Sequence, residues 1–271
     1  MQAASLPASY GWQWVRDGLK LFRKQPLAIF TWALAISLLV MFASFTPPIG
    51  PLLFIALMPI VTLMTLAACK HIEAGRVMLP SMWPQPLMRP GVAKKLLIMG
   101  ALYAVLSVSA VLVTFLPFTA ELTEGLRIAS IQDDLTPFIL AARVPLALFG
   151  VLYLIISALF WHAPALVAWH GLRLVQALFF SGVACWRNKW PFLVYGITWL
   201  MTFLFIDLCA GILVSIGVSS QLAGTLQIPF NIAAGGILYC SFYPAYTSVF
   251  GIEDTHAHPD SSTDTPSHSE M

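Results

Sequence analysis

The apolar residues of this chain fall in blocks of about 20 or more, and that spacing narrows its possible folds more than any other feature. A hydrocarbon core about 30 Å thick is crossed by about 20 helical residues at about 1.5 Å each. Six blocks meet that length, at residues 27–46, 49–69, 96–118, 144–169, 191–218 and 228–250. Strands of a membrane barrel would show short alternating segments instead of continuous runs. Composition agrees: 59% of the 271 residues are hydrophobic and 10% charged, more apolar surface than a water-soluble fold can hide. The expected fold class is all-α, a polytopic membrane helix bundle. It has six transmembrane helices arranged as three hairpins, with interfacial cytoplasmic helices beside them.

The sequence divides into an N-terminal segment (1–26), a membrane domain (27–250) and an acidic tail (251–271). Because 26 residues precede the first block and no small-x-small cleavage site follows cleanly, that block is expected to be a retained span. Within "GWQWVRDGLKLFRKQP", Trp12, Val15, Leu19 and Phe22 share an arc of roughly 80° at 100° per residue. Arg16, Lys20 and Arg23 flank that stripe. A helix of this kind either lies in the headgroup layer with its cations reaching outward or packs on the bundle as a short cytosolic helix. The first two blocks are parted only by "TPPIGP", whose prolines stop a helix and whose glycine allows a tight reversal. The tail holds five acids and no Lys or Arg, a composition expected to stay disordered.

Orientation follows from the cations. Arg16, Lys20, Arg23 and Lys24 precede the first span, five more lie in 70–95 and three in 173–189, so alternate segments hold 12 of the 14. The other two, Arg127 and Arg143, sit among Glu121, Glu124, Asp133 and Asp134. By the positive-inside rule the three basic segments are cytoplasmic, and "TPPIGP", the acidic loop and "SSQLAGTLQ" face the other side. Both termini are then cytoplasmic. The net charge of +2 is thus topogenic, and nucleic acid is not an expected partner.

A weak repeat accompanies this threading. Each returning span carries an internal proline, Pro59, Pro164 or Pro244, and "FRKQPLAIF" before the first span echoes "WRNKWPFLV" before the fifth. Proline removes a backbone donor and clashes with the preceding turn, so a kink is expected at each.

The entry "GWQWVRDGLKLFRKQPLAIF", the hairpin "PPIGPLLFIALMPIV" and the segment "FWHAPALVAWHGLRLVQALFFSGVACWRNKWPFLVYG" resemble a family of uncharacterised six-span bacterial integral inner-membrane proteins. The resemblance covers about residues 8–252. It implies six spans and an inner-membrane address, and supplies no catalytic residues.

Residue counts argue against known intramembrane chemistries. His71 and Glu73 lack the H-E-x-x-H spacing of a zinc protease, an aspartyl protease needs two intramembrane carboxylates, and neither a G-x-S-x-G elbow nor a phosphate-binding loop occurs. Cys69, Cys185, Cys209 and Cys240 show no C-x-x-C spacing and read as small hydrophobes. His256, His258, Asp260 and His268 in the tail offer a metal no fixed geometry. His162 and His170 are eight residues apart, about 12 Å along a helix, too far to share one ion. His162 reads as a hydrogen-bonded structural residue or as part of a proton or solute path.

Asp207 is the one acidic residue within a predicted span, at a cost of about 2.5–3.5 kcal/mol on insertion scales. It is expected to face the bundle and to pair with a phenol or hydroxyl, with Tyr239 on the sixth span and Tyr153 or Ser157 on the fourth at matching depth. The expected function is that of a non-enzymatic accessory or scaffold protein, without cofactors, contacting the lipid bilayer and a membrane-protein partner or a second copy. The alternatives are a small transporter of an apolar or amphiphilic solute and, more weakly, a membrane enzyme acting on a lipid.

Overall fold

The computed structural model describes residues 3–251, and every regular element among them is helical. The acidic tail beyond Gly251, with its three histidines, lies outside the described residues. In chain order the α-helices are α1 (Tyr10–Lys24), α2 (Pro26–Ser44), α3 (Ile49–Glu73), α4 (Val92–Phe115), α5 (Thr119–Gln132), α6 (Thr136–Phe160), α7 (Ala163–His170), α8 (Leu174–Arg187), α9 (Lys189–Ser215) and α10 (Ser220–Phe250). Five stretches are long and apolar enough to cross a membrane: Pro26–Ser44, Ile49–Glu73, Val92–Gln132, Thr136–His170 and Lys189–Ser215. The sixth expected block lies in α10, whose 31 residues carry no charge but include Gln221, Gln227 and Asn231, which lower its hydropathy. The chain is therefore an all-α polytopic membrane bundle with five spans by length and composition.

Helix α3 is the centre of the bundle, packing against α2, α4, α7 and α10, while α4 continues the layer to α6. Leu63, Leu66 and Ile72 of α3, Leu96 and Met99 of α4, and Leu166 of α7 form the driest part of the core. At Gly100 the α4 backbone rides directly on the Ala56 carbonyl of α3, an approach that only a missing Cβ permits. Helix α9 is peripheral, with only Pro191, Tyr195 and Trp199 buried, and its far half, packed on α10 through Phe203 and Ile206, presents most of its apolar side chains outward. Such a surface is stable only where lipid covers it.

The N-terminal helix packs on the bundle. Gly11, Trp14, Gly18 and Leu21 form its buried face against α9 and α10, and the Trp12–Val15–Leu19–Phe22 stripe runs beside that face with Trp12 56% exposed. Gly11 lies on the Pro191 carbonyl, and a Cβ on Gly18 would stand 2.7 Å from Cβ of Ser241. The Trp14 indole donates to Ser248 Oγ at 2.8 Å and packs on Phe192 and Tyr195. Ahead of α1 the chain is pinned by fully buried Asn188, whose amide donates to Ala4 O (2.8 Å) and Ala184 O (2.9 Å) while its Oδ1 accepts from Leu6 N (2.9 Å).

Two expectations change. The acidic segment is not an extended loop: α5 folds back along α6, helped by Gly125, where a Cβ would meet that of Ala141 at 3.1 Å. Arg127 grips Glu124 through two bonds of 2.8 and 2.7 Å and holds its carboxyl below the usual range. Arg143 belongs to α6, which starts at Thr136 where Asp134 accepts from the Thr136 amide and hydroxyl. Secondly, "SSQLAGTLQ" opens α10 rather than forming a loop, because Ser219 Oγ caps Leu222 N at 3.3 Å. Of the three internal prolines, Pro164 stands beside a break between helices. The fourth span breaks at Trp161–His162, with Pro164 in the first turn of α7, whereas α3 and α10 run on through Pro59 and Pro244.

Candidate functional site

The ends of α3, α7 and α10 and the starts of α2, α4 and α9 share one end of the bundle, and 12 of the 14 Lys and Arg residues belong to segments at that end. A cleft of about 480 Å³ opens there. Its floor is Trp169 of α7 with Tyr243 and Tyr246 of α10, and its walls carry Lys70 and His71 from the last turn of α3, His170 of α7, and Arg76 and Arg89 from the connection between α3 and α4. Lys70 Nζ stands 5.5 Å over the Trp169 ring, a cation–π contact, and His170 Nε2 and the Tyr246 hydroxyl are hydrogen-bonded at 2.6 Å.

The connection 74–91 keeps this wall in place without a long helix of its own. Gln25, at the α1–α2 junction, donates through Nε2 to Arg76 O at 2.6 Å and accepts from Met78 N at 2.8 Å. Trp83 stacks on Trp32 of α2 at 4.1 Å between ring centres, and the Trp32 indole donates to Thr65 Oγ1 on α3 at 2.9 Å. Gln25 and Trp83 have no sequence signature beyond residue type, and the cations of 70–95 were legible only as a topogenic cluster. Their convergence on one cleft requires the folded connection.

Across Tyr243 and Thr247 lies a second hollow of about 440 Å³, bounded by Asp17, Lys20 and Lys24 of α1 and by Glu73. Its two acids and two lysines balance, whereas the first cleft is lined by three permanent cations and no carboxylate.

The residues expected to form an intramembrane polar site are not brought together. Asp207 is exposed on α9 and its partner is Gln227, whose Nε2 donates to Oδ1 at 2.5 Å. Tyr239 stands 12 residues further along α10, about 18 Å away along the axis, and cannot reach it. The difference comes from the turn between the two helices: with α9 ending at Ser215 and α10 starting at Ser220, Gln227 and not Tyr239 shares the depth of Asp207. Tyr153 instead faces Tyr103, hydroxyl to hydroxyl at 3.2 Å, and Tyr239 packs edge-on against Phe242.

His162 sits at the break between α6 and α7, wholly buried. Its backbone N–H donates to Ser181 Oγ at 2.9 Å, and that hydroxyl donates in turn to Ala158 O, so α8 closes the gap that the break opens. The imidazole is surrounded by Phe192, Tyr246 and Phe250, and its Nε2 has no hydrogen-bond partner among the described residues. Of the cysteines, Cys69, Cys185 and Cys240 are buried and Cys209 is exposed, all as free thiols. Among the described residues no three His, Cys, Asp or Glu side chains converge as a metal site would need.

The chain is 34% identical over 268 residues to a probable inner membrane protein of Burkholderia thailandensis, an alignment covering 95% of this chain and 97% of that protein. No family model matches it, and no solved structure does.

Proposed function

We propose a function from the premise that this chain belongs to the family of bacterial inner-membrane proteins represented by the Burkholderia thailandensis relative: it is a non-enzymatic accessory or scaffold protein that engages its partners from the cytoplasmic leaflet. The observation that carries this reading is the aromatic-floored cationic cleft, held open by a connection clamped at Gln25 and Trp83. A cleft braced in this way is a docking feature. The span interiors offer hydroxyls bonded to their own helix, as at Thr65, Thr114 and Thr198, and little with which to coordinate an ion.

Six crossings with cytoplasmic termini belong to the same proposal. Parity supports them: Ala4 bonds to Val249, so α10, which starts at the far end of α9, returns to the end where the chain began. Its 31 residues span about 46 Å, more than the hydrocarbon core requires. The basic end is then cytoplasmic by the positive-inside rule.

Transport of an amphiphilic solute is the second reading, favoured by one observation, the broken fourth span with His162 Nε2 unbonded among the described residues beside the break. Cross-linking in native membranes followed by purification of the full chain in mild detergent separates the two. The accessory reading expects a stoichiometric protein partner or a stable homo-oligomer. A solitary chain that catalyses solute counterflow in liposomes would overturn it.

A further inference from the structure

The cleft has the charge and the rim of a phospholipid headgroup site. Lys70, Arg76 and Arg89 all line it, and none of the three forms an ion pair among the described residues, where the ion pairs are Arg16–Asp17, Lys20–Asp17 and Arg127–Glu124. The C-terminal turns of α3, α7 and α10 converge on the same space, and their carbonyl ends each contribute about half a negative elementary charge. Three fixed cations exceed that sum about twofold, so the cleft remains positive and attracts an anion. The neighbouring hollow, with two lysines against Asp17 and Glu73, has no such surplus.

The exposed apolar residues next in sequence to the lining residues Arg76, Met78 and Arg89 decide which anion. On the connection that carries Arg76 and Arg89, Val77 and Met88 project outward, 70% and 79% exposed, and Leu79 projects with them. Apolar side chains beside a cationic hollow at the membrane face suit an amphiphile: a phosphate drawn between the guanidinium groups, with acyl chains running out past the rim into the bilayer. Guanidinium groups bind phosphate oxygens in bidentate fashion, and His170, the Tyr246 hydroxyl and the Lys70 ammonium are further polar groups in the same lining. We propose that this cleft binds the phosphate of an anionic glycerophospholipid from the cytoplasmic leaflet. The proposal rests on the accessory reading and names the lipid that the accessory protein holds.

The test is native mass spectrometry of the full-length detergent-solubilised protein, incubated separately with phosphatidylglycerol, phosphatidylcholine and inorganic phosphate. Wild-type protein is expected to retain phosphatidylglycerol in preference to phosphatidylcholine. Arg76→Gln with Arg89→Gln, both exposed positions, should weaken that retention roughly tenfold or more while leaving the protein folded, and Lys20→Gln with Lys24→Gln in the neutral hollow should not. Equal retention of the two lipids, or retention unchanged in the double arginine variant, overturns the proposal. Displacement of phosphatidylglycerol by equimolar inorganic phosphate would make this a free-anion site and overturn the lipid assignment. Gly251 lines the cleft and is followed by five acids in 252–271, so lipid binding that appears only after those residues are removed would assign the cleft to the chain's own tail. Loss of lipid binding with the protein partner still co-purifying would refute the lipid site and leave the accessory reading standing.

Discussion

The backbone amide of Ala4 donates to the carbonyl of Val249 at 2.9 Å, joining the beginning of the described chain to the end of α10 at one end of the bundle. That end carries the basic segments, and the helical excursion of α5 lies at the other. In a cysteine-free background, Thr123→Cys in α5 should react with an impermeant thiol reagent in spheroplasts with an intact inner membrane. Ser81→Cys should react only after permeabilisation. Labelling of Ser81→Cys in sealed spheroplasts would reverse the orientation.

Asp207 and Gln227 join α9 to α10 beyond the last fully buried residue of α9, Trp199. A hydrogen bond between membrane helices contributes about 0.6 kcal/mol on average and up to about 1.7. A double-mutant cycle of Asp207→Leu and Gln227→Leu, read by unfolding in detergent, should return a coupling in that range. Asp207→Asn keeps an acceptor for the Gln227 amide and should match the parent within about 1 kcal/mol. Coupling of zero would reduce the pair to a surface coincidence.

Gly18 is expected to tolerate no side chain, since a Cβ there would meet the backbone of Ser241 at 2.8 Å, and backbone atoms cannot swing aside. Gly18→Val should destabilise the protein by about 1–3 kcal/mol, the range for overpacking, and free α1 for proteolysis. Gly18→Ala should do so less. Gly150→Ala, with open space around it, should leave the melting temperature unchanged.

Gln25 makes two bonds to the backbone of the 74–91 connection, each contributing about 1 kcal/mol net. Gln25→Ala should therefore speed tryptic cleavage after Arg76 by roughly tenfold or more while the span core stays protected. Equal cleavage rates would mean that Trp83 alone holds the connection.

His162 offers a separation of the two functional readings. Its ring occupies an aromatic enclosure and Nε2 bonds nothing among the described residues, so Phe, of comparable size, removes an unpaired buried polar atom. His162→Phe should be as stable as the parent or more so, with accessory function intact. Loss of function in a stable His162→Phe protein would favour the transport path.

Hydropathy and charge spacing carried the class, the all-helical bundle and the grouping of the cations, because water, hydrocarbon and the positive-inside bias act on composition averaged over about 20 residues and need no knowledge of neighbours. They also showed α1 as amphipathic, without saying that Gly11 and Gly18 turn a second face onto α9 and α10. What the average could not carry is any choice made by single contacts. The turn between α9 and α10 hangs on one serine cap: α10 starts eight residues earlier than expected and α9 ends three earlier, and together these shifts put Gln227 rather than Tyr239 beside Asp207. The acidic segment became α5 because Gly125 lets it lie close along α6. The cleft exists because Gln25 and Trp83 fold the 74–91 connection back over the end of α3, bringing Lys70, Arg76 and Arg89 together from positions up to 19 residues apart. Each of these depends on hydrogen bonds and ring contacts between distant residues, and such contacts belong to the tertiary structure alone.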